Sequence, residues 1–250
     1  MFPDSGAPRS CILCLGAHEV LSSSGWSAHA RRLQALGLQP VGLLVAISAR
    51  GPDRELDRVE IPLDTLQVQL EAVQAQGLRP EAVLVAHPPS LRQLAWLETV
   101  YAEWGHLPWV LLLTHPPEPA VGENLQQTWL ERFHLLVADS RAVEDGLGLS
   151  TCDLETLQRA ALRLLRHGLA HVLLCGPDLP SITDPASDLV SAYLYGTRTE
   201  LVLFEMPAPR PPGSAEALAD RLLYSCLREG VSEEAVRLAL EELYRGANWL

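Results

Sequence analysis

The chain has 250 residues, 48% of them apolar and 20% charged, a balance that fits one compact domain with a full core and excludes disorder and collagen-like repeats. Its formal charge of −12 has the wrong sign for a general binder of nucleic acid or anionic membranes. All 19 basic residues are arginine, so mechanisms that need a lysine, such as a Walker-type phosphate loop or a Schiff base, are excluded as well.

Met1 to Ser10 lack the apolar stretch of a secretory signal, and no uncharged run is long enough to span a bilayer, so a soluble protein is expected, and the odd, scattered set of five cysteines points to a reducing cytoplasm. The first apolar run, Cys11 to Leu15, predicts a buried strand and contains a C-x-x-C pair. No second pair follows to complete a zinc site, and five scattered cysteines do not make a disulfide framework. Ser22-Ser-Ser-Gly25 then opens a helix over Gly25 to Leu36; such a turn is either an ordinary capped connection or a cradle of free N–H groups for a polar ligand.

Further strands are predicted at Val41 to Ile47, Ala82 to Ala86, Trp109 to Thr114, His134 to Ala138 and Ala170 to Cys175. Helices over Asp64 to Gln76, Ser90 to Trp104, Glu123 to Phe133 and Asp153 to His167 alternate with them. That alternation defines an α/β protein with a mostly parallel sheet between helical layers. Beyond residue 185, Asp188 to Tyr195 and Thr199 to Glu205 flank Gly196-Thr-Arg198 as an antiparallel hairpin, and helices over Ser214 to Arg228 and Ser232 to Arg245 finish one domain spanning 1–250.

Ligands of open α/β sheets bind beyond the carboxyl ends of the strands. The polar residues placed there are His18, Glu19, Ser48, Arg50, His87, Thr114, His115, Asp139, Ser140 and Asp178. The histidines could serve a metal-dependent hydrolase only if strand order brings them together, and polar residues are also what such loops ordinarily contain. Arg210-Pro-Pro-Gly-Ser-Ala215 runs directly into a helix, where Gly213 and Ser214 offer N–H groups to an anion, although Pro211 and Pro212 lack theirs.

Taken in order, Cys14-Leu-Gly-Ala-His-Glu19, the serine loop, Gly25-Trp-Ser-Ala28, Val45-Ala-Ile-Ser-Ala-Arg-Gly51, His134-Leu-Leu-Val-Ala-Asp139, His171-Val-Leu-Leu-Cys-Gly176 and Pro211-Pro-Gly-Ser214 resemble hydroxymethylpyrimidine and phosphomethylpyrimidine kinases of thiamine biosynthesis, members of the ribokinase superfamily. Pyridoxal kinases share the layout. The resemblance implies a three-layer α/β/α sandwich, transfer of the γ-phosphoryl of Mg-ATP to a pyrimidine, and a homodimer for which the hairpin is the candidate contact. It places Glu19, Ser22, Ser23, Ile47 and His87 at the substrate, Asp139, Cys175, Asp178 and Arg210 at the nucleotide, and Gly213 and Ser214 at the catalytic position.

The same resemblance implies a degenerate site. Ser22-Ser23 replace a glycine pair, Ile47 a glutamine that bonds the pyrimidine, and Leu112-Leu113 an Asp-Pro pair. Asp139 replaces an asparagine, Ala142 the glutamate that organises Mg²⁺, and Cys175 a lysine or threonine. Ser214 stands where the family has its cysteine or aspartate base, and a serine hydroxyl is too weakly acidic to take up a proton near neutrality. A catalytically impaired kinase-like module that binds a pyrimidine, a nucleotide or a regulatory partner is expected; the alternative is a divergent working kinase that uses Glu19, Asp139, Glu144 or Asp145 in new roles.

Overall fold

The structure is a computed structural model, and it describes residues 10–19, 25–50, 55–87, 89–180, 189–207, 209–211 and 213–245. Among the described residues nine strands form a single sheet: β1 (Ser10–Glu19), β2 (Pro40–Arg50), β3 (Glu55–Glu60), β4 (Arg79–Val85), β5 (Trp109–Leu113), β6 (Leu135–Asp139), β7 (His171–Pro180), β8 (Leu189–Thr197) and β9 (Leu201–Pro207). Their order is β3-β2-β1-β4-β5-β6-β7-β8-β9, parallel from β2 through β7. β3 closes one edge antiparallel to β2, and the β8–β9 hairpin closes the other antiparallel to β7. The predicted class, the expected strands and the hairpin are all present.

The parallel strands are nearly continuous in apolar residues because both faces are covered. Alternation along β6 sends Leu136 and Ala138 to one core and Leu135 and Val137 to the other. The first core lies under α2 (Leu63–Ala75), α3 (Leu91–Trp104), α4 (Pro119–Asn124), α5 (Ser140–Leu147) and α6 (Leu154–Arg166). The second lies under α1 (Trp26–Ala35), α7 (Ser214–Arg228) and α8 (Glu233–Tyr244). None of the helices described is long and apolar enough to cross a membrane.

Side-chain caps open three of the helices. Ser90 with Gln93 and Asp153 with Thr156 form reciprocal capping boxes, and the Ser232 hydroxyl accepts from Ala235 N. The helix expected from Asp64 starts one residue earlier, so Asp64 sits inside the first turn of α2, where its charge complements the helix dipole, and Pro62 precedes the helix. β2 bulges past β1 between Gly16 and Ala17, and glutamines from the covering helices meet the exposed backbone groups. Gln69 accepts from Leu44 N at 2.8 Å and donates to Leu44 O at 3.2 Å, while Gln93 Nε2 donates to Val45 O at 2.7 Å.

Three elements differ from expectation. β3 reads Glu-Leu-Asp-Arg-Val-Glu, an edge strand too polar to signal itself by an apolar run. α5 leaves β6 directly, without a side-chain cap. The single helix expected over Glu123 to Phe133 is instead α4, begun by Pro119, then a π-turn over Leu125–Trp129 and a 3₁₀ turn over Leu130–Arg132. The wide turn keeps Leu125, Trp129 and Leu130 buried together, a spacing that one regular helix would splay.

Candidate functional site

The chain builds β1, β2 and β3 toward one edge, then returns to lay β4 on the other side of β1 and continues toward β9. That reversal between β1 and β4 is a topological switch point, the place where crevices open at the carboxyl ends of parallel strands. His18 and Glu19 end β1 there, and Ala86 and His87 follow β4. Glu19 is half-buried, His18 is exposed and His87 is buried. In the paired register His18 lies opposite Ile47, and Ile47 opposite Val59 of β3. Ile47 is 42% exposed and Val59 59%, so an imidazole and two uncovered aliphatic side chains form a row at this edge. Ser22 and Ser23 lie outside the described residues.

The second half of the site gathers where β6, β7 and α7 meet. β9 runs antiparallel to β8, which runs antiparallel to β7, so the turn leading to α7 returns to the same sheet edge as the end of β6. Asp139 ends β6 and pairs in register with Cys175 of β7. Arg210 reaches across to it: Nη2 lies 2.7 Å from Asp139 Oδ1, and Nη1 donates to Gly176 O at 3.4 Å. Both side chains are largely covered, Arg210 at 27% and Asp139 at 22% exposure. The contact is an ion pair at hydrogen-bonding distance.

Burial pushes the Asp139 carboxyl up to about 6, opposed by the Arg210 charge and reinforced by Glu216 in the first turn of α7. Burial, with the nearby Asp139 charge adding to it, raises the Cys175 thiol far above its usual range, so Cys175 is a fully buried, protonated thiol. Asp178 lies farther along β7, opposite Ser191.

Ser214 is the first residue of α7 and is buried. Gly213, exposed before it, takes a left-handed backbone with φ 73°, the conformation that glycine adopts without strain. The Ser214 hydroxyl donates to Pro211 O and also meets the buried Tyr193, whose hydroxyl lies 3.1 Å from that of Tyr244. Ser214 is thus held by its own turn and by β8, and it has no side-chain base beside it among these contacts.

The structure therefore brings Asp139, Cys175, Arg210, Gly213 and Ser214 into one neighbourhood, with Glu19, Ile47 and His87 at the switch-point half of the same edge. Glu144 and Asp145 are exposed on α5. Among the described residues no group of three His, Cys, Asp or Glu side chains could hold a metal ion, so the strand-end histidines do not assemble into such a site there. Cys11 and Cys14 are buried free thiols of β1; burial raises Cys11 to about 11 and Cys14 well above the usual thiol value. Sequence reasoning singled out Arg210 and Asp139 but not their pairing, nor Glu216 and Tyr193, because the contacts join separate strands and loops.

No family model matches the sequence, and no curated protein matches it. Solved structures do. Phosphomethylpyrimidine kinase from Clostridium difficile superposes with a TM-score of 0.76 at 15% identity, covering 94% of this chain and 99% of that one. Bacillus subtilis pyridoxal kinase in an ADP complex gives 0.76 at 14% identity over 94% of this chain and 90% of that one. Staphylococcus aureus pyridoxal kinase with AMP-PCP and pyridoxal gives 0.77 at 19% identity over 94% and 86%. The architecture is thus that of a kinase-fold α/β sandwich. More particularly, it is the ribokinase-like fold shared by phosphomethylpyrimidine and pyridoxal kinases.

Proposed function

We propose that this chain is a kinase-fold binding module of the phosphomethylpyrimidine kinase type, which takes a small pyrimidine or pyridine and a nucleotide at the carboxyl edge of its sheet and transfers phosphoryl groups poorly. The observation that carries this reading is the state of Ser214. Its hydroxyl is committed to Pro211 O at the position where the resemblance puts a cysteine or aspartate base. A serine hydroxyl that donates its own proton to a backbone carbonyl is a poor base at neutral pH. The row of His18, Ile47 and Val59 suits a planar ring, with apolar surface in place of the hydrogen-bonding glutamine that the resemblance implies.

The test is ADP release from Mg-ATP over hydroxymethylpyrimidine, its monophosphate and pyridoxal, with Ser214→Cys run alongside. The reading expects wild-type turnover far below that of metabolic kinases, a rise in Tm with at least one ring compound, and faster turnover in Ser214→Cys. Wild-type turnover near the ~10 s⁻¹ typical of enzymes overturns it.

One observation favours a second reading, the divergent kinase. Asp139, raised to about 6 chiefly by burial, has the proton affinity of a usable general base near neutrality. On that reading wild-type turnover is present and Asp139→Asn abolishes it.

A further inference from the structure

The resemblance to phosphomethylpyrimidine kinases implies a divalent metal near the nucleotide's phosphates, organised by a glutamate, and the residues here do not fit one. Ala142, where the resemblance puts the metal-organising glutamate, is a methyl group packed in the core beneath α5. The remaining carboxylate at the end of β6, Asp139, already has a cation 2.7 Å away, the Arg210 guanidinium.

The local charges show what that cation does. Asp139 and Glu216 both lie near the start of α7 and act on each other electrostatically, and together they would repel a phosphate. Arg141 of α5 and Arg210 are the positive groups that act on Asp139. Arg210 is the one fixed at both ends of its fork, to Asp139 of β6 and to Gly176 O of β7. A guanidinium carries more N–H donors than these two contacts use, and their planar array matches phosphate oxygens. With 27% of its surface exposed, Arg210 is both anchored and reachable.

We propose that Arg210 is a built-in cation that stands in for the divalent metal, so that a nucleotide's phosphates are held at this edge without Mg²⁺. The inference rests on the nucleotide-binding part of the proposed function and adds that the binding is metal-independent.

The experiment is calorimetric titration of the full chain with ADP, and separately with inorganic pyrophosphate, in Mg²⁺ and in EDTA. The expected result is the same affinity in both buffers. Arg210→Ala should weaken ADP by about tenfold or more, as loss of a charge-assisted phosphate contact does, with Arg210→Lys recovering part of the loss. Because Arg210→Ala leaves Asp139 without its counter-charge, the double variant Arg210→Ala/Asp139→Asn, checked for fold by circular dichroism, should also lose ADP binding.

ADP binding that requires Mg²⁺, ADP binding unchanged in a folded double variant, or no ADP binding in either buffer overturns the inference. Hydroxymethylpyrimidine and pyridoxal, titrated in the same buffers, separate the two readings. If they bind while ADP needs Mg²⁺, only the metal-independent site fails; if they and ADP are all silent, the proposed function fails with it.

Discussion

Removing the Asp220 carboxylate should be among the most damaging single changes in this protein. Asp220 lies in the middle of α7 with no exposed side-chain surface. It holds two partners on α1: His29 Nδ1 at 2.7 Å and Arg32 Nε at 2.6 Å. The short contact requires the imidazole proton on Nδ1, which donates to the carboxylate; the 3.4 Å approach of Arg32 Nη2 to the same nitrogen is then proximity alone. His29 is 1% exposed and Arg32 11%, so Asp220→Ala strands a nearly buried guanidinium and an imidazole N–H at once. Breaking a buried ion pair from one side costs about 3–5 kcal/mol, which in a chain of this length lowers Tm by roughly 10 °C.

Urea unfolding followed by far-UV circular dichroism measures the loss. Asp220→Asn, which keeps the shape and an acceptor oxygen, should cost less. The triple change His29→Leu/Arg32→Met/Asp220→Leu should recover most of the stability, because removing every polar partner avoids the stranded charge. A loss below about 1 kcal/mol for Asp220→Ala would refute the view that this network pins α1 to α7.

Two further outcomes follow from the same geometry. The Asp139 carboxyl, usually near 3.8 and here about 6 through burial, holds its proton more tightly in the native state than in the unfolded chain. Its contribution therefore lowers stability as pH rises from about 4 to about 6, by at most about 3 kcal/mol, and is complete above that window. Asp139→Asn should flatten this part of the curve in urea melts at pH 4.5 and 7; an unchanged slope contradicts the assigned burial. At Gly122, a Cβ would lie 1.9 Å from Gly146 O, backbone against backbone, where α4 crosses α5. Gly122→Ala should cost about 3 kcal/mol in thermal unfolding, the upper range for overpacking, and a loss within ordinary surface scatter would show that the helices can separate.

Much of this architecture was written locally. The strands buried on both faces announce themselves as apolar runs, and α3, α6 and α8 begin at Ser90, Asp153 and Ser232, whose side chains cap the first turn within a few residues. α7 spans Ser214–Arg228, the bounds its sequence predicts, because a left-handed glycine precedes it and its apolar face repeats at helical spacing. The elements that escaped notice lack a local signal: β3 is a charged edge strand held by pairing with β2, and α5 forms without a cap directly off β6. Among the candidate site residues, their types and their nearness to strand ends were legible, but not their partners.

Composition and periodicity, which depend on neighbours one to four residues away, determined the α/β class, the sheet's two covered faces and the absence of lysine chemistry. Tertiary structure alone decided the strand order that puts the end of β1 beside β4 and sets Asp139 against Arg210. It also decided the meeting of His29 and Asp220 across 191 residues of chain. Such contacts depend on which crossovers fold to which side of the sheet, and a pattern confined to a single turn or strand carries no record of that choice.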